Sequence, residues 1–179
     1  MSMRRKKSTV RLAAAAVLAA LGVVFLTLGA FVEVLDLSMA AIASLTVVFA
    51  VIELKGKYPY LVYLVTSVLS LLLLPSKTPA LLYALFAGYY PILKACLEGR
   101  FSRTVSWFIK ILAFNAAFAL IAFASVKLLT LYEISWQHWY WAIPVIATAV
   151  FVLYDIALTR LITAYLVRWR RRLRLRFDD

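Results

Sequence analysis

Residues 12–32 read LAAAAVLAALGVVFLTLGAFV, and this run decides the fold class. It holds no charge and is long enough to cross a bilayer, which takes about 20 predominantly apolar residues. Arg4, Arg5, Lys6, Lys7 and Arg11 precede it. A basic start followed by an apolar run is also the layout of a signal peptide, but this run exceeds the usual length of such a core. The stretch therefore reads as a retained first transmembrane helix, about Val10–Val32.

The rest of the chain follows the same pattern. It is 65% hydrophobic, with a mean hydropathy of +0.93, whereas a soluble domain is about half apolar. Five further spans are predicted: about Leu37–Leu54, Tyr58–Leu74, Pro79–Leu97, Val105–Leu131 and Trp139–Val167. Asp36-Leu37-Ser38 resembles a helix cap at the start of the second. Pro59 and Pro75 bound the third. With a cytoplasmic N-terminus, only Lys77 and Lys127 fall on the outer side, leaving 18 of the 20 basic residues inside. That distribution obeys the positive-inside rule at every loop, and an odd number of spans scrambles it. The expectation is an all-α integral membrane protein, a compact bundle of six transmembrane helices with both termini cytoplasmic. Residues 1–179 form one membrane domain: a basic N-terminus over 1–9, the bundle over 10–167 and a basic tail over 168–179.

Composition excludes several functions. The formal net charge is +12, but its two basic clusters flank apolar runs, which points to anionic lipid headgroups rather than nucleic acid. Cys96 is the only cysteine and His138 the only histidine. An intrachain disulfide and a multi-histidine metal site are thereby excluded. No glycine-rich phosphate loop occurs, so the chain is not expected to hydrolyse nucleotide. Signatures of an intramembrane protease or a prenyl-diphosphate enzyme are also lacking, and no enzymatic activity or cofactor is predicted. Ser44, Ser67, Ser70 and Ser125 have no base nearby in sequence and are expected to bond to the preceding helical turn.

Ala15 and Ala19 are four residues apart, as are Ala16 and Ala20. Residues at this spacing share a helix face, and alanine there admits a second backbone. Ala40, Ala43 and Ser44 repeat the device in the second span. Such faces serve packing within one chain or docking of a separate protein, and the spacing alone leaves both open. The layout resembles an S component, the substrate-capturing subunit of energy-coupling factor (ECF) vitamin transporters. That family has about six spans, cytoplasmic termini and an AxxxA-type face on its first helix. Leu35-Asp36-Leu37-Ser38-Met39-Ala40-Ala41 also resembles the family's entry into its second helix. The resemblance implies a prokaryotic plasma-membrane protein that captures a vitamin or precursor from outside. It further implies docking, through Ala15, Ala16, Ala19 and Ala20, on a transmembrane coupling subunit that works with ATPase subunits. A ligand-free membrane scaffold that recruits cytoplasmic or membrane partners is the alternative.

Trp136, Gln137, His138, Trp139 and Tyr140 crowd the outer loop before the last span. Tryptophan and tyrosine favour the membrane interface, so an aromatic belt accounts for them. They also suit the wall of an outward-facing pocket for a small organic ligand, and the resemblance favours that side. Asn115, in the middle of the fifth span, is either interhelical glue or a pocket-lining group. Glu53, Lys94, Lys110, Asp155 and Arg160 fall toward the cytoplasmic ends of spans, where charges pair or line water. Lys110 and Arg160 are placed to snorkel to the inner interface. Asp155 lies too deep for that, and Lys94 or Lys110 is its expected partner. In the fourth span, GYYPILKACLE (residues 88–98) places Pro91 where it should bend the helix. Gly88 leaves room for a close neighbour there. Tyr89 and Tyr90 point to different faces, and Lys94 and Glu98 are spaced to pair.

Overall fold

The computed structural model of the protein describes residues 2–128 and 142–169, which are helical except for short turns, with no strand among them. α1 spans Ser2–Phe31, and a 3-10 turn, Glu33–Leu35, leads into α2, Asp36–Phe49. α2 continues as a π turn, Ala50–Leu54. α3 is Tyr58–Leu73. α4, Thr78–Leu82, runs into a second π turn, Tyr83–Ala87, and then α5, Tyr90–Arg100. α6 is Arg103–Leu128, and α7 is Ala142–Ala164, ending in a π turn, Tyr165–Trp169.

With α4 and α5 taken as halves of one segment, there are six long helical segments among the described residues. Five have the length and apolarity to cross a membrane: Ser8–Phe31, Asp36–Leu54, Thr78–Arg100, Arg103–Leu120 and Pro144–Arg168. The third expected span is shorter than the rest, with 16 residues in helix. At 1.5 Å per residue it is about 24 Å long, against a hydrocarbon core of ~30 Å. Its limits are chemical. Pro59 occupies its first turn, and Pro75 holds the residue before it in extended backbone. Lys77 closes the end, its Nζ donating to the carbonyls of Leu71 (2.9 Å) and Leu74 (2.6 Å). The predicted cap at Asp36 is shifted by one residue. Leu35 is the N-cap, and Asp36 is in the first turn, where a carboxylate faces the positive end of the helix dipole.

The chain divides into two compact units at Phe101 and Ser102. In the first, α1 packs against both α2 and α3. Its contact stripe is Ala15, Ala19, Gly22, Leu26, Gly29 and Ala30, all buried. Small residues let the backbones close up. A Cβ on Gly22 would lie 2.9 Å from Thr66 Cγ2, and one on Gly29 would lie 3.0 Å from Met39 Cβ. The approach brings the Thr66 hydroxyl within 3.3 Å of the Ala19 carbonyl, to which it donates. Ala40, Ala43, Val47 and Ala50 supply the α2 side of this core, and Val62, Ala80 and Tyr83 complete it. In the second unit, α6 and α7 form one antiparallel contact. Phe114 stacks on Phe151, their ring centroids 4.6 Å apart and nearly parallel, and Lys110 meets Asp155 one turn along. Four residues back along α6, from Phe114 to Lys110, are answered by four forward on α7, from Phe151 to Asp155. At that register, residues of α7 beyond Ile162 run past Arg103, the first residue of α6.

Candidate functional site

The second unit holds one pair of opposite charges in an apolar seam. Lys110 Nζ lies 3.4 Å from Asp155 Oδ2, with the side chains 2% and 3% exposed. The ammonium also stands 5.4 Å from the centroid of the Trp107 ring, whose negative face attracts a cation. Of the two lysines expected for Asp155, Lys110 therefore takes it. Lys110 does not snorkel but is buried, whereas Arg160 is exposed. Lys94 pairs along its own helix with Glu98, at 2.9 Å, as the four-residue spacing predicts. The ammonium end of that pair is buried and the carboxylate is half exposed. Glu53, in the π turn that α5 packs against, is buried as well.

The alanine face of α1 divides in two. Ala15 and Ala19 lie in the core of the first unit, whereas Ala16 and Ala20, one position on, are exposed. The two pairs were expected to act together. One instead fixes α1 within its own chain, and the other leaves an outward strip of small side chains. Asn115 is half-buried, and its amide donates to the Ile111 carbonyl one turn back, at 2.9 Å. That bond satisfies a donor within α6 itself. Trp136, Gln137, His138, Trp139 and Tyr140 lie outside the described residues.

The broken fourth span brings together residues that the sequence reading left apart. The Gly88 N–H donates to the Tyr83 carbonyl, five residues back, at 2.8 Å. In an α-helix that N–H belongs to the Ala84 carbonyl. Here the Tyr63 hydroxyl, from α3, donates to Ala84 at 2.8 Å. Gly88 is what lets α3 come so near: a Cβ there would lie 2.7 Å from carbon atoms of both Tyr63 and Tyr83. Around it the rings of Tyr63, Tyr83, Phe86, Tyr89 and Tyr90 pack edge-on or tilted at 5.2–6.5 Å. Tyr90 is buried and Tyr89 half-buried, so the two do face differently. Pro91 falls in the first turn of α5, where its missing N–H leaves no helical bond unmade. The expected bend is thus a break at Gly88-Tyr89, with a π turn before the proline.

Two buried serines of α3 depart from expectation. Ser44 donates to the Ala41 carbonyl at 2.6 Å, as predicted for membrane serines. Thr27, Thr46, Thr148, Thr159 and Thr163 likewise bond three or four residues back. Ser67 and Ser70 do not: both hydroxyls are buried without a hydrogen-bond partner. Ser67 is set beside the Tyr63 phenol instead of a carbonyl of its own helix. The signal was available as Tyr63, Ser67 and Ser70 at i, i+4 and i+7, one polar stripe on an apolar helix. Comparison of the chain with family models, curated proteins and solved structures gives no match in any of the three.

Proposed function

We propose that the protein is the substrate-capture subunit of an ECF-type micronutrient importer. It sits in a prokaryotic plasma membrane with both termini in the cytoplasm and binds a vitamin or precursor from outside. Separate coupling and ATPase subunits supply the energy. The observation that carries this reading is the divided face of α1. Ala15 and Ala19 anchor the helix in its own core, so Ala16 and Ala20 stand outward on a firmly held helix. Small outward residues on a membrane helix suit a second membrane helix, whose backbone they admit closely. Trp136, Gln137, His138, Trp139 and Tyr140 are the proposed ligand wall, with anionic lipid beside the basic ends of the chain.

The test is co-expression with a coupling subunit and its ATPases, followed by purification on a tag carried by this chain. The wild-type chain is expected to bring down the module. Ala16→Leu/Ala20→Leu is expected to lose it while melting at the wild-type temperature. Retention of the module by that variant would remove α1 as the docking face. The second reading, a ligand-free scaffold, draws on α7, which at its register overruns α6 and carries the exposed Arg168. A module that stays unbound while a cytoplasmic protein copurifies would favour it.

A further inference from the structure

We infer that the seam between α3 and the π turn of the fourth span is a binding site for water, held inside the apolar first unit. The site does not depend on the proposed transport role. Ser70 is 0% exposed and Ser67 7% exposed, and neither hydroxyl has a hydrogen-bond partner. A buried hydroxyl left unpaired is destabilising, and more so where the surroundings are hydrocarbon. Serine in a helix has a ready remedy in the carbonyl of the preceding turn, which Ser44 takes. Ser67 and Ser70 leave that remedy unused, one turn apart on one stripe of α3. The same stripe carries Tyr63, whose hydroxyl reaches across to the Ala84 carbonyl. A carbonyl oxygen has a second lone pair, and a phenol oxygen accepts as well as donates.

The seam therefore offers the Ser67 hydroxyl beside the Tyr63 phenol, the Ala84 carbonyl that the phenol reaches, and the Ser70 hydroxyl one turn on from Ser67. Buried water is held by two to four such groups. These named groups are all uncharged, so the ligand is a small neutral donor and acceptor, which water is. The π turn supports the site, because it turns the Ala84 carbonyl away from its helical partner and toward α3. Phe114 and Phe151, stacked in the second unit, supply a buried aromatic pair for comparison.

Radiolytic hydroxyl-radical footprinting of the full chain in nanodiscs, with the water isotopically labelled, reads the site directly, because radicals form on bound water and modify the side chains beside it. Tyr63 and Tyr83 are expected to be modified, Tyr83 in spite of its complete burial, while Phe151 stays unmodified. Ser67→Ala/Ser70→Ala is expected to lose the modification at Tyr63 and Tyr83. Its melting temperature is the check on folding, and Ser70→Thr, which keeps a hydroxyl, is expected to restore the labelling. Unmodified tyrosines in the wild-type chain would overturn the inference, as would labelling that survives the double alanine variant. A double alanine variant that melts higher than wild type and shows no change in labelling would mean a dry seam with two misplaced hydroxyls.

Discussion

Lys110 and Asp155 are paired where neither is stable alone. Each is almost fully buried, and a charge at that depth has no water to fall back on. Removing one partner takes the opposite charge away from the other, which costs about 3–5 kcal/mol in buried pairs, whereas replacing both with apolar groups is often neutral. Lys110→Met is therefore expected to destabilise the fold by about that amount, and Lys110→Met/Asp155→Leu to recover most of it. Denaturant titration in detergent, followed by circular dichroism, measures both; a double variant as unstable as the single one would deny the coupling. The sequence placed Asp155 too deep to snorkel and named two lysines. It did not choose between them, because that choice depends on which helix face α6 turns toward α7. Lys94 had a nearer partner in Glu98 one turn away, a spacing that is visible in the sequence.

At the scale of elements, apolar length and proline position carried most of the information. Helix starts and stops fall close to their expected places because Pro59, Pro75 and the charged loops mark them chemically. The π turns were not legible, since a bond to the fifth residue back is chosen by packing. Tyr63 and Gly88 make that choice here, and they lie on different helices. The same holds for α1: a four-residue alanine spacing appears twice, and only the packing on α2 and α3 decides which copy is buried. Ala19→Leu and Gly88→Ala are both expected to destabilise, by about 1–3 kcal/mol each as overpacked positions. Ala16→Leu is expected to fall within about 0.5 kcal/mol of wild type, as an outward position. The same denaturant titration separates them, and equal effects at Ala16 and Ala19 would contradict the division of the α1 face.

For the whole molecule, the helical class and the membrane-length segments followed from hydropathy alone, and among the described residues the structure bears out the helical class and five of the six segments, α3 being the short one. The side of insertion is an expectation from charge: a six-span arrangement puts 18 of the 20 basic residues on one side. In a Cys96→Ser background, Lys57→Cys is expected to react with a membrane-impermeant maleimide only after permeabilisation, and Ser76→Cys before it. The reverse pattern would invert the topology, and both reacting from one side would remove α3 as a spanning element. The division into a four-segment and a two-segment unit was not foreseen, because no linker or composition change marks Phe101-Ser102.

Capture of a micronutrient for a separate energy-coupling module is the central claim. Native mass spectrometry of the chain, purified with a co-expressed coupling subunit and ATPases, tests it most directly. The account predicts a complex containing all subunits and, on dissociation, a small organic mass released from this chain. A chain that travels alone and releases no ligand would contradict it.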